Sequence, residues 1–266
     1  MDLANLGQLL PATDFLGTPG VGAWLFAGLF VASLLTNYFS IVAGTAGGLM
    51  LLVIMAAFFP PTVLVPVHTL IQLGSGSTRA FSMWPYVLKG TLLPFTLGCI
   101  VGGAIGSQLF VQLPQGILMG VLGVFILVIT WLPGIGQFGP ERGRFAILGL
   151  FVTLLGVFVS ATGTLVGAFV ASASPDRRNH VSTMAALMAI THTAKMAAFF
   201  WVGIAIAAYV PLVIAMIAGG MLGNHAGEHT LNRMQEGSFR TLFKIVMTAL
   251  ALRLLWSAAR ELGWLG

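Results

Sequence analysis

The sequence predicts an all-α, polytopic membrane protein made of two inverted five-segment repeats with broken half-helices, about 8–10 membrane segments in total. Three observations predict it. Charged residues are 7% of the 266 positions, twelve Lys or Arg and seven Asp or Glu, against about 25% in an ordinary soluble domain. Apolar residues make up 58% and mean hydropathy is +0.98. A soluble fold of this size needs a charged shell that this chain cannot supply. The apolar residues also fall into segments of membrane-spanning length, and the segment pattern of the first half recurs in the second.

The segments, in order, are 20–40, 45–59, 62–83, 87–112 and 115–132, then 144–160, 163–174, 180–201, 203–226 and 238–260. Pro, Gly and short charged runs punctuate them. A crossing helix needs about 20 residues, roughly 17 to 25, so 45–59 and 163–174 read as half-helices, and spacing alone leaves open whether each crosses or turns back. The first twenty residues lack a basic n-region and hold Asp2 and Asp14, so no cleaved signal peptide is read. The organisation is a tail 1–19, a first repeat 20–132, a cytoplasmic linker 133–143 and a second repeat 144–266.

Charge placement sets the orientation. Lys89, Arg142, Arg144, Arg177, Arg178, Arg233, Arg240 and Lys244 all fall on one side of the segment pattern, and the loops after the second, fourth, sixth and eighth segments hold no Lys or Arg. The positive-inside rule makes that side cytoplasmic and puts both termini outside. The net charge of +5 is not gathered on a polar face, which excludes a nucleic-acid partner. The lone Cys99, in an apolar stretch, permits no internal disulfide and suggests no thiolate metal site. No nucleotide-binding motif is present and no cofactor is expected; the oligomeric state is not legible.

The duplication is carried by matched landmarks. Residues 39–48 read F-S-I-V-A-G-T-A-G-G and residues 158–167 read F-V-S-A-T-G-T-L-V-G, so that Phe39, Gly44, Thr45 and Gly48 match Phe158, Gly163, Thr164 and Gly167 at an offset of 119. Ser75 and Arg79 match Thr191 and Lys195 at 116, and Gly102-Gly103 matches Gly219-Gly220 at 117. An odd number of segments per half inverts the second half, the plan of many secondary transporters, in which broken helices build a site near the midplane. The two Gly-Thr breaks read as such interruptions, since irregular backbone at membrane depth is tolerated only inside protein or beside a cavity. A half-helix N-terminus there suits an anion. Gly102, Gly103, Gly106, Gly219, Gly220 and Gly223 read instead as close helix packing.

No Asp or Glu lies at the middle of a segment, so an acidic coupling site is not expected. The polar residues within segments are basic or neutral. His68, Gln72, Ser75 and Arg79 stand at i, i+4, i+7 and i+11, one helix face, and Thr191, His192 and Lys195 occupy the eighth segment. A buried cation with no carboxylate nearby calls for an anion. Arg79 is open to a second reading as a snorkelling side chain. His68 and His192 could carry coupled protons. Asn37 stands before the first break and is placed with the same cavity, whereas Arg253 is given no role. His225, Glu228 and His229 match the H-x-x-E-H zinc pattern; Gly227 interrupts it and no third ligand is evident, so a membrane zinc hydrolase is the lesser alternative, and an anion channel or uptake carrier of the same fold is another.

Taken together, the G-T-A-G-G break at 44–48, the Pro60-Pro61 turn, the polar third segment from His68 to Arg79 and G-G-A-I-G at 102–106 resemble the TauE/SafE family, sulfite and organosulfonate exporters of bacterial inner membranes, over about residues 37–260. Relative to that family, Leu49 to Ile54 contains no Pro and the second break reads G-T-L-V-G. The resemblance implies a multi-pass inner-membrane secondary transporter, with membrane lipid around it, for sulfite, a sulfonate or a related small anion. Only the resemblance says sulfur.

Overall fold

The computed structural model describes residues 14–43, 47–131, 143–160, 162–173, 176–230 and 236–264. Gly44, Thr45 and most of the expected linker 133–143 lie outside them. The described residues form ten α-helices and no strand. These are α1 Ala23–Ala43, α2 Gly47–Ala56, α3 Pro61–Ser82, α4 Leu92–Gln112 and α5 Gln115–Trp131, then α6 Gly143–Val159, α7 Gly163–Ala173, α8 Arg177–Trp201, α9 Val210–Thr230 and α10 Glu236–Glu261. The chain is thus an all-α polytopic membrane protein. The stretches Ala23–Ser40, Lys89–Gln112 and Ala207–Gly227 are by themselves long and apolar enough to cross a bilayer, and Gly47–Ala56, Gln115–Val128 and Gly143–Val159 are shorter apolar helices.

The expected segments meet these helices with shifts that have local causes. α8 starts at Arg177 rather than 180 because the Asp176 carboxylate caps it, accepting from the Arg178 N–H at 2.7 Å and the Asn179 N–H at 3.1 Å. α2 covers less than 45–59. Turn bonds from Ala57 N–H to the Ile54 carbonyl and from Phe58 N–H to the Met55 carbonyl close it, and Pro61 opens α3 at its first position. At 1.5 Å per residue the 10 residues of α2 and the 11 of α7 span about 15–17 Å, half of a hydrocarbon core.

The helices pair as α4 with α6, α1 with α9, α5 with α10 and α3 with α8. Exchanging α1–α5 for α6–α10 turns the first pairing into the second and leaves the other two unchanged. Glycines set the closest approaches. A side-chain carbon at Gly98 or Gly102 of α4 would overlap the Ala146 or Leu150 carbonyl of α6; at Gly223 of α9 it would overlap the Leu34 carbonyl of α1, and at Gly219 it would lie 2.8 Å from the Phe30 carbonyl. This is the small-residue packing expected where lipid supplies no hydrophobic drive between helices.

One buried apolar cluster surrounds α2, with Leu29, Leu51, Leu52, Leu64, Ile71, Leu118, Met216 and Ala251. A second joins Phe95, Leu148, Val152, Val166 and Leu187 of α4, α6, α7 and α8. Trp24, Leu93, Ile100, Phe151, Ile214 and Leu252 are exposed, as a lipid-facing surface requires.

Candidate functional site

Where α6 ends, Ser160 adopts φ 59°, a left-handed conformation that a side chain normally avoids. Its N–H closes the helix on the Gly156 carbonyl at 2.8 Å. This geometry leaves the Ser160 hydroxyl buried among three side chains. Lys195 Nζ donates to it at 3.0 Å, His68 Nδ1 lies 3.0 Å away and Thr69 Oγ1 lies 3.0 Å away. His68 Nε2 is 2.9 Å from the Gly48 carbonyl in the first turn of α2. The cluster therefore ties both broken helices' neighbourhoods together: Gly48 from α2, His68 and Thr69 from α3, Ser160 from the end of α6, and Lys195 from α8.

The proton inventory of this cluster is constrained. A carbonyl can only accept, so a His68 ring with one proton carries it on Nε2 and accepts at Nδ1 from the Ser160 hydroxyl. Ser160 in turn accepts from Lys195. Thr69 donates its own proton to the Val65 carbonyl at 2.7 Å. The Lys195 side chain has no solvent exposure, and no carboxylate pairs with it among the described residues. Its ammonium has three N–H groups, of which one reaches Ser160. The Lys195 stem packs against Gly156, where an added side-chain carbon would sit at ordinary contact distance, 3.4 Å, from Lys195 Cδ.

The remaining site residues named from sequence divide. Gln72 lies with its amide against Gly48, where any side chain would overlap it, and so joins the cluster. Asn37 and Ser75 do not. Asn37 Nδ2 donates to the Ser33 carbonyl at 2.9 Å, Ser75 Oγ to the Ile71 carbonyl at 2.8 Å, and Asn224 Nδ2 to the Ser75 carbonyl at 3.1 Å. With Gly220 between Asn37 and Ser75, they form a separate polar layer of α1, α3 and α9. Thr191 is buried and donates to the Leu187 carbonyl at 2.9 Å. His192 is buried, and its Nδ1 has no hydrogen-bond partner among the described residues. Gly163, at the second break, faces Met184 and Met188, and Gly167 faces Met184. Gly44 and Thr45, and the side chains of Arg79 and Thr164, lie outside the described residues.

Ser160 is not among the residues that the sequence singles out. Its repeat mate at the 119 offset is the apolar Ile41, so the matching did not flag it. The signal available was a hydroxyl three residues before Gly163 of the second Gly-Thr break. The Met pair was equally readable, since His68 and Gln72 fall on Met184 and Met188 at the 116 offset. One half of the site is polar where the other is thioether.

Among the described residues no group of three or more His, Cys, Asp or Glu could hold a metal ion. The side chains of Glu228 and His229, two of the three in the H-x-x-E-H pattern, lie outside them.

The family model described as "Sulfite exporter TauE/SafE" matches residues 29–254, most of the chain. The chain belongs to the TauE/SafE family. This is a family of sulfite-exporter-type transporters, and the match takes in every residue of the Lys195–Ser160–His68 cluster. Searches of the curated proteins and of the solved structures return no significant match.

Proposed function

We propose that this TauE/SafE protein is a secondary transporter that exports a small sulfur-containing anion, such as sulfite or an organosulfonate, across the bacterial inner membrane by alternating access. The observation that carries this reading is Lys195, a fully buried cation whose hydrogen bond to Ser160 satisfies one of its donors and none of its charge. An ammonium removed from water without a counter-charge costs several kcal/mol. A small oxyanion drawn against Lys195, with the first turn of α2 and the His68 ring beside it, offsets that cost while bound.

The helix pairing that survives exchange of the two halves supports an inverted repeat, and hence a site reached alternately from each side. The polar Gly48 break against the Met-lined Gly163 break supports one central site per chain. Arg79, the repeat mate of Lys195, serves as the cytoplasmic relay for the anion, and His68 or His192 as the seat of proton coupling.

The test is flux of radiolabelled sulfite into liposomes holding the purified protein. Lys195→Ala should cut the rate at least about tenfold, the scale of losing one charge-assisted contact, while the protein remains monodisperse and thermally folded. Undiminished flux by a folded Lys195→Ala protein would overturn the central-site reading.

A further inference from the structure

Outside the central cluster, a cavity of about 460 Å³ opens between α2, α5 and α10. Val53, Ala56 and Ala57 border it from the end of α2, Gln115 and Met119 from α5, and Arg253 with Ser257 from α10. Its volume falls in the usual range of ligand pockets, roughly 300–1,000 Å³. At about 30 Å³ per water it admits a small anion together with part of its hydration shell.

Arg253 is the charged group of this cavity, and its partners are missing. It is half-buried in the last helix, with no hydrogen bond and no carboxylate among the described residues. The obvious structural role, capping the end of α2, is not filled by it. The Ile54 and Met55 carbonyls there already accept from Ala57, Phe58 and Phe59 N–H groups. Two neutral polar side chains accompany the guanidinium. Ser257 stands at i+4 from Arg253, on the same face of α10, and Gln115 sits at the start of α5 across the cavity. Among the residues lining the cavity no acid is present. A planar fork with its donors free, an amide and a hydroxyl around one space is the donor set for a tetrahedral or pyramidal oxyanion.

We propose that this cavity is a second oxyanion site, centred on Arg253 and lying at the opposite end of half-helix α2 from the Lys195–Ser160–His68 cluster. The two ends of α2 are about 15 Å apart, too far for one small anion to touch both. The ligand is either a free inorganic oxyanion or the phosphate of an anionic lipid headgroup; both present the same oxygens to Arg253. The proposal does not depend on transport by the central site.

The test reads Arg253 itself. Full-length protein in phosphatidylcholine nanodiscs is treated with phenylglyoxal, and modification of Arg253 is followed by peptide mass spectrometry, with exposed Arg260 as internal reference. Sodium sulfate should slow the Arg253 reaction several-fold and saturably, relative to chloride at equal ionic strength, and leave Arg260 unchanged. Protection by phosphatidylglycerol in the nanodisc, with none by sulfate, assigns the site to a headgroup phosphate. Lys195→Ala should leave either protection intact, so that failure of the central site and failure of this one read out separately. Arg253 that reacts at the same rate under all conditions, or that does not react at all, overturns the proposal.

Discussion

Ser160 holds the centre of the cluster at a conformational cost. A non-glycine residue in the left-handed region costs on the order of 1–3 kcal/mol and persists where the surroundings impose it. Here it is imposed at a helix end, where glycine would be the ordinary choice. That conflict separates fold from function by substitution. Ser160→Ala keeps the strain and strands the Lys195 and His68 nitrogens, each loss worth about 1–3 kcal/mol. Ser160→Gly strands the same nitrogens and relieves the strain, so it should melt several degrees above Ser160→Ala while transporting no better. If Ser160→Gly retains full flux, the hydroxyl has no part in the site. His68 and Lys195 were legible because a charge or an imidazole within an apolar segment must be accounted for. Ser75 shares a face of α3 with His68 but stands seven residues along it, about 10 Å on the axis, and Asn37, placed with the same cavity because it precedes the first break, joins the layer of Ser75 instead. A shared face is not a shared layer.

At the scale of elements, adjacent glycines do different work. Gly102 of α4 touches the Leu150 backbone of α6, and backbone cannot yield; Gly103 faces the Thr153 and Ala198 side chains and the Ala194 carbonyl at 3.4–3.5 Å, ordinary contact distance. Gly102→Ala should therefore push α4 off α6 and cost several kcal/mol, by the overpacking mechanism, whereas Gly103→Ala should be nearly neutral. Thermal unfolding of the two purified variants checks this, and equal melting temperatures would show that α4 and α6 are not held by this approach. Both glycines fit helix packing in the sequence; of their repeat mates, Gly219 approaches the Phe30 backbone of α1, whereas Gly220 faces the Asn37 and Ser75 side chains. Sequence alone does not rank such glycines, because which one faces backbone depends on the crossing of two helices distant in sequence. Likewise α2 ended three residues short of its apolar run: Ala57, Phe58 and Phe59 are apolar enough to extend the helix, but the turn into Pro60-Pro61 claims them.

For the whole molecule, the fold class was legible because composition alone excludes a soluble shell, while the side on which each loop lies rests on eight cations and the positive-inside rule. α3 offers a direct check. Its 22 residues span about 33 Å, enough to carry the chain from one face of a bilayer to the other. Phe58, in the turn before α3, is exposed, and Gly90, in the turn after it beside Lys89, has open space where a side chain would stand. The native Cys99 is buried and contributes no background. A membrane-impermeant maleimide applied to intact cells should label Phe58→Cys, and should label Gly90→Cys only after permeabilisation. The reverse pattern would turn the molecule over and place Lys89 outside. Labelling of both in intact cells would mean that α3 does not cross, and with it the alternating-access reading would fall, because His68 could not then lie at the midplane between the two compartments.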